Sequence, residues 1–390
     1  MNPTPRKARP AALSAIAAAL ILSAWSQAAN AQATGQPAPL PQRLSATGLY
    51  VEGASTRVDP KNLAFAPQYP LWSDGTRKRR WIYLPPGAAI DASRPDAWEF
   101  PPGTRLWKEF SLDRPVETRF IERLPDGAWR FATYIWDADG TDATLAPADG
   151  VAALPVQGAP HGSYAIPGEA DCRACHEGAA VPVLGFSALQ LSSDRDPLAP
   201  HADSRSDIDL PGLASRGLIK NLPPALISKP PRIEVNSPAE RAALGYLHGN
   251  CAHCHNDTGA PAPVDLTLAQ SVTSGAAGAE RVLRSMIDAR SRFRGHGLGA
   301  DAPLIAPGSP DASVLIARVS SRNPQTQMPP LGTQLRDADA LALLERWIAE
   351  KSHTPEELSH ESTNPDAKLE SACLAGPRQC GARNSAGLRR

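Results

Sequence analysis

Two pentapeptides of the form C-x-x-C-H constrain this chain more than any other feature: Cys172-Arg173-Ala174-Cys175-His176 and Cys251-Ala252-His253-Cys254-His255. In each, two thiols stand three positions apart and a histidine follows directly, which is the spacing of a covalent c-type haem attachment site. The thiols reach the two vinyl groups of one porphyrin edge, and the histidine offers a proximal nitrogen to the iron. The sequence therefore predicts two covalently bound haem c groups, with His176 and His255 as iron ligands.

A C-x-x-C pair also occurs as a thioredoxin-like redox motif and as half of a zinc site. The redox alternative lacks a βαβ context here and leaves the histidine after each pair unexplained. A four-cysteine zinc site requires the two motifs to meet in space, and it leaves both histidines without a role. Haem attachment is the interpretation that uses all six side chains.

The N-terminus has the pattern of a secretory signal peptide. Arg6, Lys7 and Arg9 precede an apolar stretch over 11–25, and small residues near position 31 offer cleavage sites. The stretch is shorter than the ~20 residues that a membrane span requires. We therefore predict a signal peptide over 1–33, a periplasmic or secreted mature chain, and no membrane span after cleavage. This agrees with the motifs, because c-type haem is attached after export.

The charge balance of the chain limits its partners. There are 40 basic and 40 acidic side chains, and three of the basic ones lie in the predicted signal peptide. This balance argues against a nucleic acid or an anionic membrane surface as partner. Forty prolines are about twice the ~5% of average usage, which predicts a loop-rich fold.

The stretch from about 47 to 170 has no helical periodicity. Short runs rich in aromatic and β-branched residues alternate with Pro-Gly and Asp-Gly turn signals, which predicts an antiparallel β-sandwich or partial barrel. The runs are Trp81 to Leu84, Arg105 to Phe110, Glu117 to Ile121 and Trp129 to Trp136.

The stretch from 237 to 351 has three helix-start signals and reads as a small all-α domain. Ser237-Pro238 with Glu240 predicts an N-cap and capping box, and further starts stand at Ser309-Pro310 and near Asp337. Met328 lies between the last two helices and is followed by two prolines, which favour an extended loop. Its soft sulfur is a suitable sixth haem ligand. The alternative is a methionine that fills a core gap, as we expect for Met286.

Residues 237–351 resemble a class I cytochrome c domain. The resemblance rests on the helix that leads into Cys251-Ala252-His253-Cys254-His255, the Met328-Pro329-Pro330 loop and a C-terminal helix with Trp347. It implies that the first and last helices cross and pack against each other, and that Met328 ligates the second haem. It covers less than a third of the chain.

Residues 47–225 are similar to the N-terminal half of a β-rich group of secreted bacterial dihaem proteins of undefined role. The shared segments are Phe100 to Thr104, Glu117 to Arg119, Tyr134 to Trp136, Ile166-Pro167 and Leu184 to Leu191. Phe100 to Lys108 is also similar to cytochromes in which a lysine is cross-linked to the haem. The alternative places Lys108 on the solvent face of a strand.

The predicted fold class is α+β and multidomain, with a β-sandwich-like domain, a haem-bearing linker region and an all-α class I cytochrome c domain. The predicted boundaries are a signal peptide (1–33), a flexible mature N-terminus (34–46), a β-rich domain (47–170), the first haem segment with a Pro-rich linker (171–236), the cytochrome c domain (237–351) and a flexible tail (352–390). In an oxidising compartment Cys373 and Cys380 in this tail are expected to form a disulfide.

The predicted function is electron transfer through two haem groups between periplasmic redox proteins that act as donor and acceptor. No carboxylate pair, nucleophile–base motif or nucleotide loop indicates a separate active site. The sixth ligand of the first haem stays open, with His161, His201, His296 or water as candidates. An open first haem would instead fit a peroxidase-like oxidoreductase or a ligand sensor.

Overall fold

The structure, a computed structural model, describes residues 38–203, 207–257, 265–295 and 297–351. The predicted signal peptide, the tail with Cys373 and Cys380, and His296 lie outside the described residues. The strands are β1 Tyr50–Val51, β2 Ala54–Val58, β3 Leu63–Ala64, β4 Arg77–Tyr83, β5 Ile90–Asp91, β6 Arg105–Ser111, β7 Pro115–Arg123, β8 Trp129–Trp136, β9 Ala143–Leu145, β10 Val151–Pro155, β11 Ser163–Ile166 and β12 Ile219–Lys220. The α-helices are α1 Glu169–His176, α2 Leu210–Ser215, α3 Ala225–Ser228, α4 Pro238–Cys251, α5 Gly275–Arg284, α6 Val314–Ser320 and α7 Ala338–Glu350.

Six strands form one antiparallel sheet in the order β3-β4-β6-β7-β8-β9. Its register places Trp107 of β6 opposite Trp81 of β4 and Phe120 of β7. The four predicted runs all lie in these strands, so the strand prediction is confirmed for β4, β6, β7 and β8. Their aromatic and β-branched side chains suit a pleated surface that is covered on both sides.

The two faces of the sheet carry different cores because successive side chains point to opposite faces. On one face Trp81, Trp107 and Phe120 pack with Leu44 and Leu49 of the N-terminal segment. The other face is covered by residues from 183–191 and 210–219. That core contains Ile82, Leu106, Ile121, Phe131, Val183, Phe186, Leu191, Leu210, Leu213 and Ile219.

The predicted β-sandwich is wrong. Besides the six-stranded sheet, the described residues contain only two-stranded pairings, formed by β1 with β2, β10 with β11 and β5 with β12. Irregular segments and short helices cover the sheet where a second sheet was expected. Strand runs and turn signals report local structure, and they do not reveal which segment packs on a sheet face.

The helix starts agree largely with the prediction. The Ser237 side chain accepts a hydrogen bond from the Glu240 amide at the start of α4, and Asp337 accepts from the Ala340 amide at the start of α7. The Glu240 carboxylate does not close the expected capping box. It instead accepts a hydrogen bond of 2.9 Å from Nε1 of Trp347, which joins α4 to α7.

The predicted all-α class I cytochrome c domain is also wrong, and with it the predicted fold class. Helix α4 is buried on all sides from Ala239 to Leu247, whereas a helix of a small separate domain keeps a polar face in water. Its core includes Tyr69, Leu189 and Ile233 from the preceding part of the chain. The helices therefore complete a core that the N-terminal half begins.

Two glycines show how closely this packing is made. A Cβ atom on Gly245 would lie 2.0 Å from the ring of Tyr69, and one on Gly249 would lie 2.3 Å from the Tyr69 carbonyl oxygen. Asn250 then accepts from the Trp72 amide at 2.8 Å and donates to the Pro70 carbonyl at 3.2 Å. The chain over 69–72 therefore lies directly on the helix that delivers Cys251.

Candidate functional site

The first motif lies entirely within α1, which is held at its N-terminus by backbone contacts. The Glu169 amide donates to the Ala148 carbonyl at 2.8 Å, and the Asp171 carboxylate accepts from the Gly168 amide at 3.0 Å. An acidic side chain in the first turn also suits the positive end of the helix dipole. Helix α1 stands against β8, where the ring of Phe131 lies 5.2 Å from that of His176.

A hydrogen bond to a backbone carbonyl orients the ring of His176. Its Nδ1 lies 2.6 Å from the carbonyl oxygen of Pro182, so Nδ1–H donates and the lone pair of Nε2 faces away from this bond. Burial is the main cause that lowers the pKa of His176 to about 4, and Lys108 and Arg119 lower it as well. A neutral imidazole with Nδ1 bonded to a carbonyl is the usual state of a metal-ligating histidine.

The second motif lies at the C-terminal end of α4. The helix ends at Cys251, and the amides of Cys254 and His255 donate to the Cys251 carbonyl at 3.0 and 2.9 Å in the turn that follows. The Leu268 amide donates to the His255 carbonyl at 2.9 Å and thereby links the turn to a later segment of the chain. Among the described residues, Nδ1 of His255 is buried without a hydrogen-bond partner.

Both motifs line one cavity of about 1520 Å³. The loops that follow them are joined directly, since the Asn256 side chain donates to the Gly178 carbonyl at 2.9 Å. Cys175 and Cys254 also lie close enough to influence each other electrostatically. The structure thus brings together six predicted site residues that the sequence separates into two groups.

The four cysteines of the motifs are free thiols in the structure. Burial raises the pKa of Cys172 to about 11 and that of Cys251 to about 12. A redox-active C-x-x-C pair has the opposite property, because its attacking thiol has a lowered pKa. The thiol environment therefore does not favour the thioredoxin-like alternative.

Met328 is the seventh predicted site residue, and it also lines the cavity. Its amide donates to the Arg318 carbonyl at 3.0 Å, and the neighbouring Gln327 side chain donates to the Pro329 carbonyl at 3.1 Å. Met286, in contrast, is 2% exposed and packs in the helical core. The core position predicted for Met286 is confirmed.

The histidine candidates for a sixth ligand of the first haem lie in other environments. His161 is exposed on the turn Pro160–Gly162, and His201 lies 2.8 Å from the Asp337 carboxylate through its Nε2. In the described part of the chain, neither belongs to the cavity wall. The third candidate, His296, lies outside the described residues.

Sequence reasoning missed several polar side chains in the cavity wall. His253, the second of the two spacer residues in the second motif, lines the cavity, and burial followed by the charge of Lys108 lowers its pKa to about 4. Lys108 also lines the cavity, so the solvent-face alternative is wrong. Alternation along β6 carries a usable signal, because Lys108 shares its face with the apolar Leu106 and Phe110.

Clustered metal ligands and membrane-spanning helices are both absent from the described residues. No group of three or more His, Cys, Asp or Glu side chains there is arranged to hold a metal ion by itself. None of the helices in the described ranges is long and apolar enough to cross a membrane. In comparisons with known proteins, no family model, curated relative or solved structure matches this chain.

Proposed function

We propose that the protein is a secreted dihaem c-type cytochrome that transfers electrons. One porphyrin would be bound by the thiols of Cys172 and Cys175, and the other by those of Cys251 and Cys254. His176 and His255 would supply the proximal nitrogens, and Met328 the sixth ligand at the second site. An iron porphyrin bound in this way supplies reversible one-electron chemistry. The observation that carries the proposal is that both C-x-x-C-H motifs face a single cavity.

The size and lining of the cavity fit two large planar groups. Its volume of about 1520 Å³ exceeds the range of ~300–1,000 Å³ that holds one ordinary small ligand. Apolar side chains from both halves of the chain form much of the wall, including Leu106, Ile121, Phe131, Leu304 and Val314. Such a lining stabilises the flat apolar surface of a porphyrin by removing it from water.

The arrangement of the motifs supports electron transfer within the molecule. The Asn256–Gly178 hydrogen bond and the common cavity keep the two attachment sites adjacent. Each site would exchange electrons with the other and with a soluble redox protein at the surface. The predicted export signal over 1–33 supports a periplasmic or secreted location for these partners.

Haem attachment is tested by mass and spectrum. Purified protein from a host with a c-type haem maturation system should show the chain mass plus two haem groups and the pyridine haemochrome band of thioether-linked haem. The double variant Cys172→Ser/Cys175→Ser should lose one haem and retain the other, and Cys251→Ser/Cys254→Ser should do the same. A wild-type chain that leaves the maturation system without any bound haem would overturn the proposal.

A haem oxidoreductase or ligand sensor is the second candidate function. It is favoured by the cavity wall beside the first motif, where polar and cationic side chains such as His253 and Lys108 stand. Carbon monoxide added to the reduced protein separates the two candidates. A shift in half of the haem spectrum would identify an open iron and favour this second function, whereas an unchanged spectrum would favour a pure electron carrier.

A further inference from the structure

Three cations stand side by side on the cavity face of the sheet. The register pairs Arg80 of β4 with Lys108 of β6, and Lys108 with Arg119 of β7. Directly opposite residues of an antiparallel pair share one face, so the three side chains form a row, and all three line the cavity. We call Arg80, Lys108 and Arg119 the cation row.

Such a row is unfavourable in an otherwise apolar setting. Like charges directly opposite each other destabilise a sheet, and a buried charge is costly unless a counter-charge accompanies it. The adjacent row on the same face is apolar and consists of Ile82, Leu106, Ile121 and Phe131. The sheet therefore places three basic side chains in a row next to core residues.

The carboxylates near the row lie against the cations that surround Lys108. Asp74 and Asp337, for instance, act electrostatically on Lys78. Glu117 is fully buried and binds Arg119 at 2.6 Å, and it also accepts from the Tyr164 hydroxyl at 2.8 Å. Asp203 acts on Arg80 electrostatically, but Lys78 adds a further positive charge beside Lys108. Within the described ranges, the Lys108 ammonium lies over the ring of Phe110, with Nζ 5.0 Å from the ring centroid.

The row lies beside the first motif. Lys108 and Arg119 both act electrostatically on His176 and Cys175, and Arg119 acts on Cys172. The row and the first motif therefore face the same cavity and lie close enough to interact electrostatically.

We propose that the cation row binds a small exchangeable anion, such as a carboxylate or an inorganic monoanion, in the cavity beside the first motif. Arg80 and Arg119 offer planar donor groups and Lys108 offers a central charge, a combination suited to an anion in a site with little water. The anion would remove the repulsion within the row. This inference deepens the proposed function by naming a ligand class for the first haem site.

Anion binding is tested with azide on the purified holoprotein in its reduced state, because azide ligates ferric but not ferrous haem iron, after its haem content has been measured. We expect saturable heat of binding and a rise in melting temperature with azide for the wild type. Lys108→Met, which keeps the length of the side chain but removes the charge, should weaken binding by about tenfold or more, as expected for the loss of a hydrogen bond to a charged group. Without azide it should melt at a higher temperature than the wild type, because the repulsion is gone.

The matched control is Arg77→Gln, which removes an exposed charge from the other face of the same strand and should leave azide binding unchanged. Equal azide affinity in the wild type and Lys108→Met, or no saturable binding to the wild type, would overturn the anion site. Either result leaves haem attachment intact. Conversely, a protein without haem would overturn the proposed function, while the calorimetric and melting readouts would still report on the row.

Discussion

At the scale of single residues, the two internal methionines have opposite environments. Met328 lines the cavity that both motifs share, whereas Met286 is 2% exposed within the helical core. The sequence already indicated this division, because Met286 lies in an apolar helical run and Met328 precedes two prolines. The iron ligation proposed for Met328 stays a prediction, and the pair of methionines provides its test.

We predict that Met328→Ala removes the weak near-infrared band of the oxidised protein and lowers the reduction potential of one haem, because a thioether ligand raises that potential. Met286→Ala should leave the band unchanged and cost roughly 2–5 kcal/mol of unfolding free energy, as for other large-to-small core substitutions. Near-infrared absorption, potentiometry and urea unfolding measure both effects. Loss of the band in Met286→Ala alone would reverse the assignment.

The positions of other site residues could not be predicted from the sequence. The cation row depends on which residues of β4, β6 and β7 lie opposite one another. This register is set by the pairing of the strands and cannot be read from the sequence of a single strand. The separate roles of His161 and His201 also depend on tertiary contacts, since one is exposed and the other pairs with Asp337. Motif spacing predicts covalent attachment chemistry, but it does not predict which residues form the cavity wall.

At the scale of elements, the contact between α4 and the chain over 69–72 shows why the fold class was predicted wrongly. The capping signals correctly located the start of α4, and the strand runs correctly located the sheet. The sequence alone did not explain Gly245 and Gly249, because the segment that packs against them, at Tyr69, is far away in the chain. A buried glycine in a helix indicates close approach of another segment, but not which segment approaches.

Gly249→Ala is expected to destabilise the protein by roughly 1–3 kcal/mol, because the new methyl group overpacks the contact with the Tyr69 backbone. Helix propensity alone would give the opposite sign, since alanine is favoured over glycine within a helix by about 1 kcal/mol. Gly299→Ala is the control, as its Cβ meets open space. Thermal unfolding of both variants is the measurement, and a more stable Gly249→Ala would contradict the packing described for α4.

Asp142 anchors the N-terminal segment to the start of β9, and its contacts predict a pH dependence. Burial tends to raise its pKa, but hydrogen bonds from the Ser45 hydroxyl, the Ala143 and Ser45 amides and Arg43 lower it overall. A lowered folded-state pKa adds stability above the unfolded-state value near 3.8, and this stability is lost as the pH falls through the folded value.

Asp142→Asn should therefore reduce the unfolding free energy at pH 7 by about 1.5–3 kcal/mol, the range for hydrogen bonds to a charged group. The difference from the wild type should shrink towards pH 2, where the wild-type carboxylate takes up a proton. Urea unfolding at several pH values provides the measurement. Asp113→Asn, an exposed substitution, should follow the wild type throughout, and a pH-independent deficit in Asp142→Asn would refute the ionic explanation.

At the scale of the whole molecule, several long-range contacts make the sheet and the helices interdependent. Val272 packs against both the helical core and the core of the sheet. The Asp96 carboxylate accepts from the Val272 amide at 2.8 Å, and the Asp74 carboxylate accepts from the amides of Gln334 and Leu335, each at 2.8 Å. No local sequence pattern predicted these contacts, because each joins segments that are far apart in the chain.

We expect the holoprotein to unfold in a single cooperative transition as a result. Scanning calorimetry should give equal calorimetric and van't Hoff enthalpies, and circular dichroism in the far- and near-ultraviolet should report the same midpoint. Two resolved transitions, one for the sheet and one for the helices, would show that the shared core contributes little to the coupling between them.

The cavity between the motifs also has a consequence for how the protein is made. Its wall begins at Phe65 and ends at Asp337, so it closes only after nearly the whole chain has been delivered and has formed non-local contacts, which are slow to assemble. Until then the thiols of both motifs remain accessible. If haem is attached to them as proposed, the late closure of the wall provides an interval for attachment, and a variant that folds faster should carry less haem.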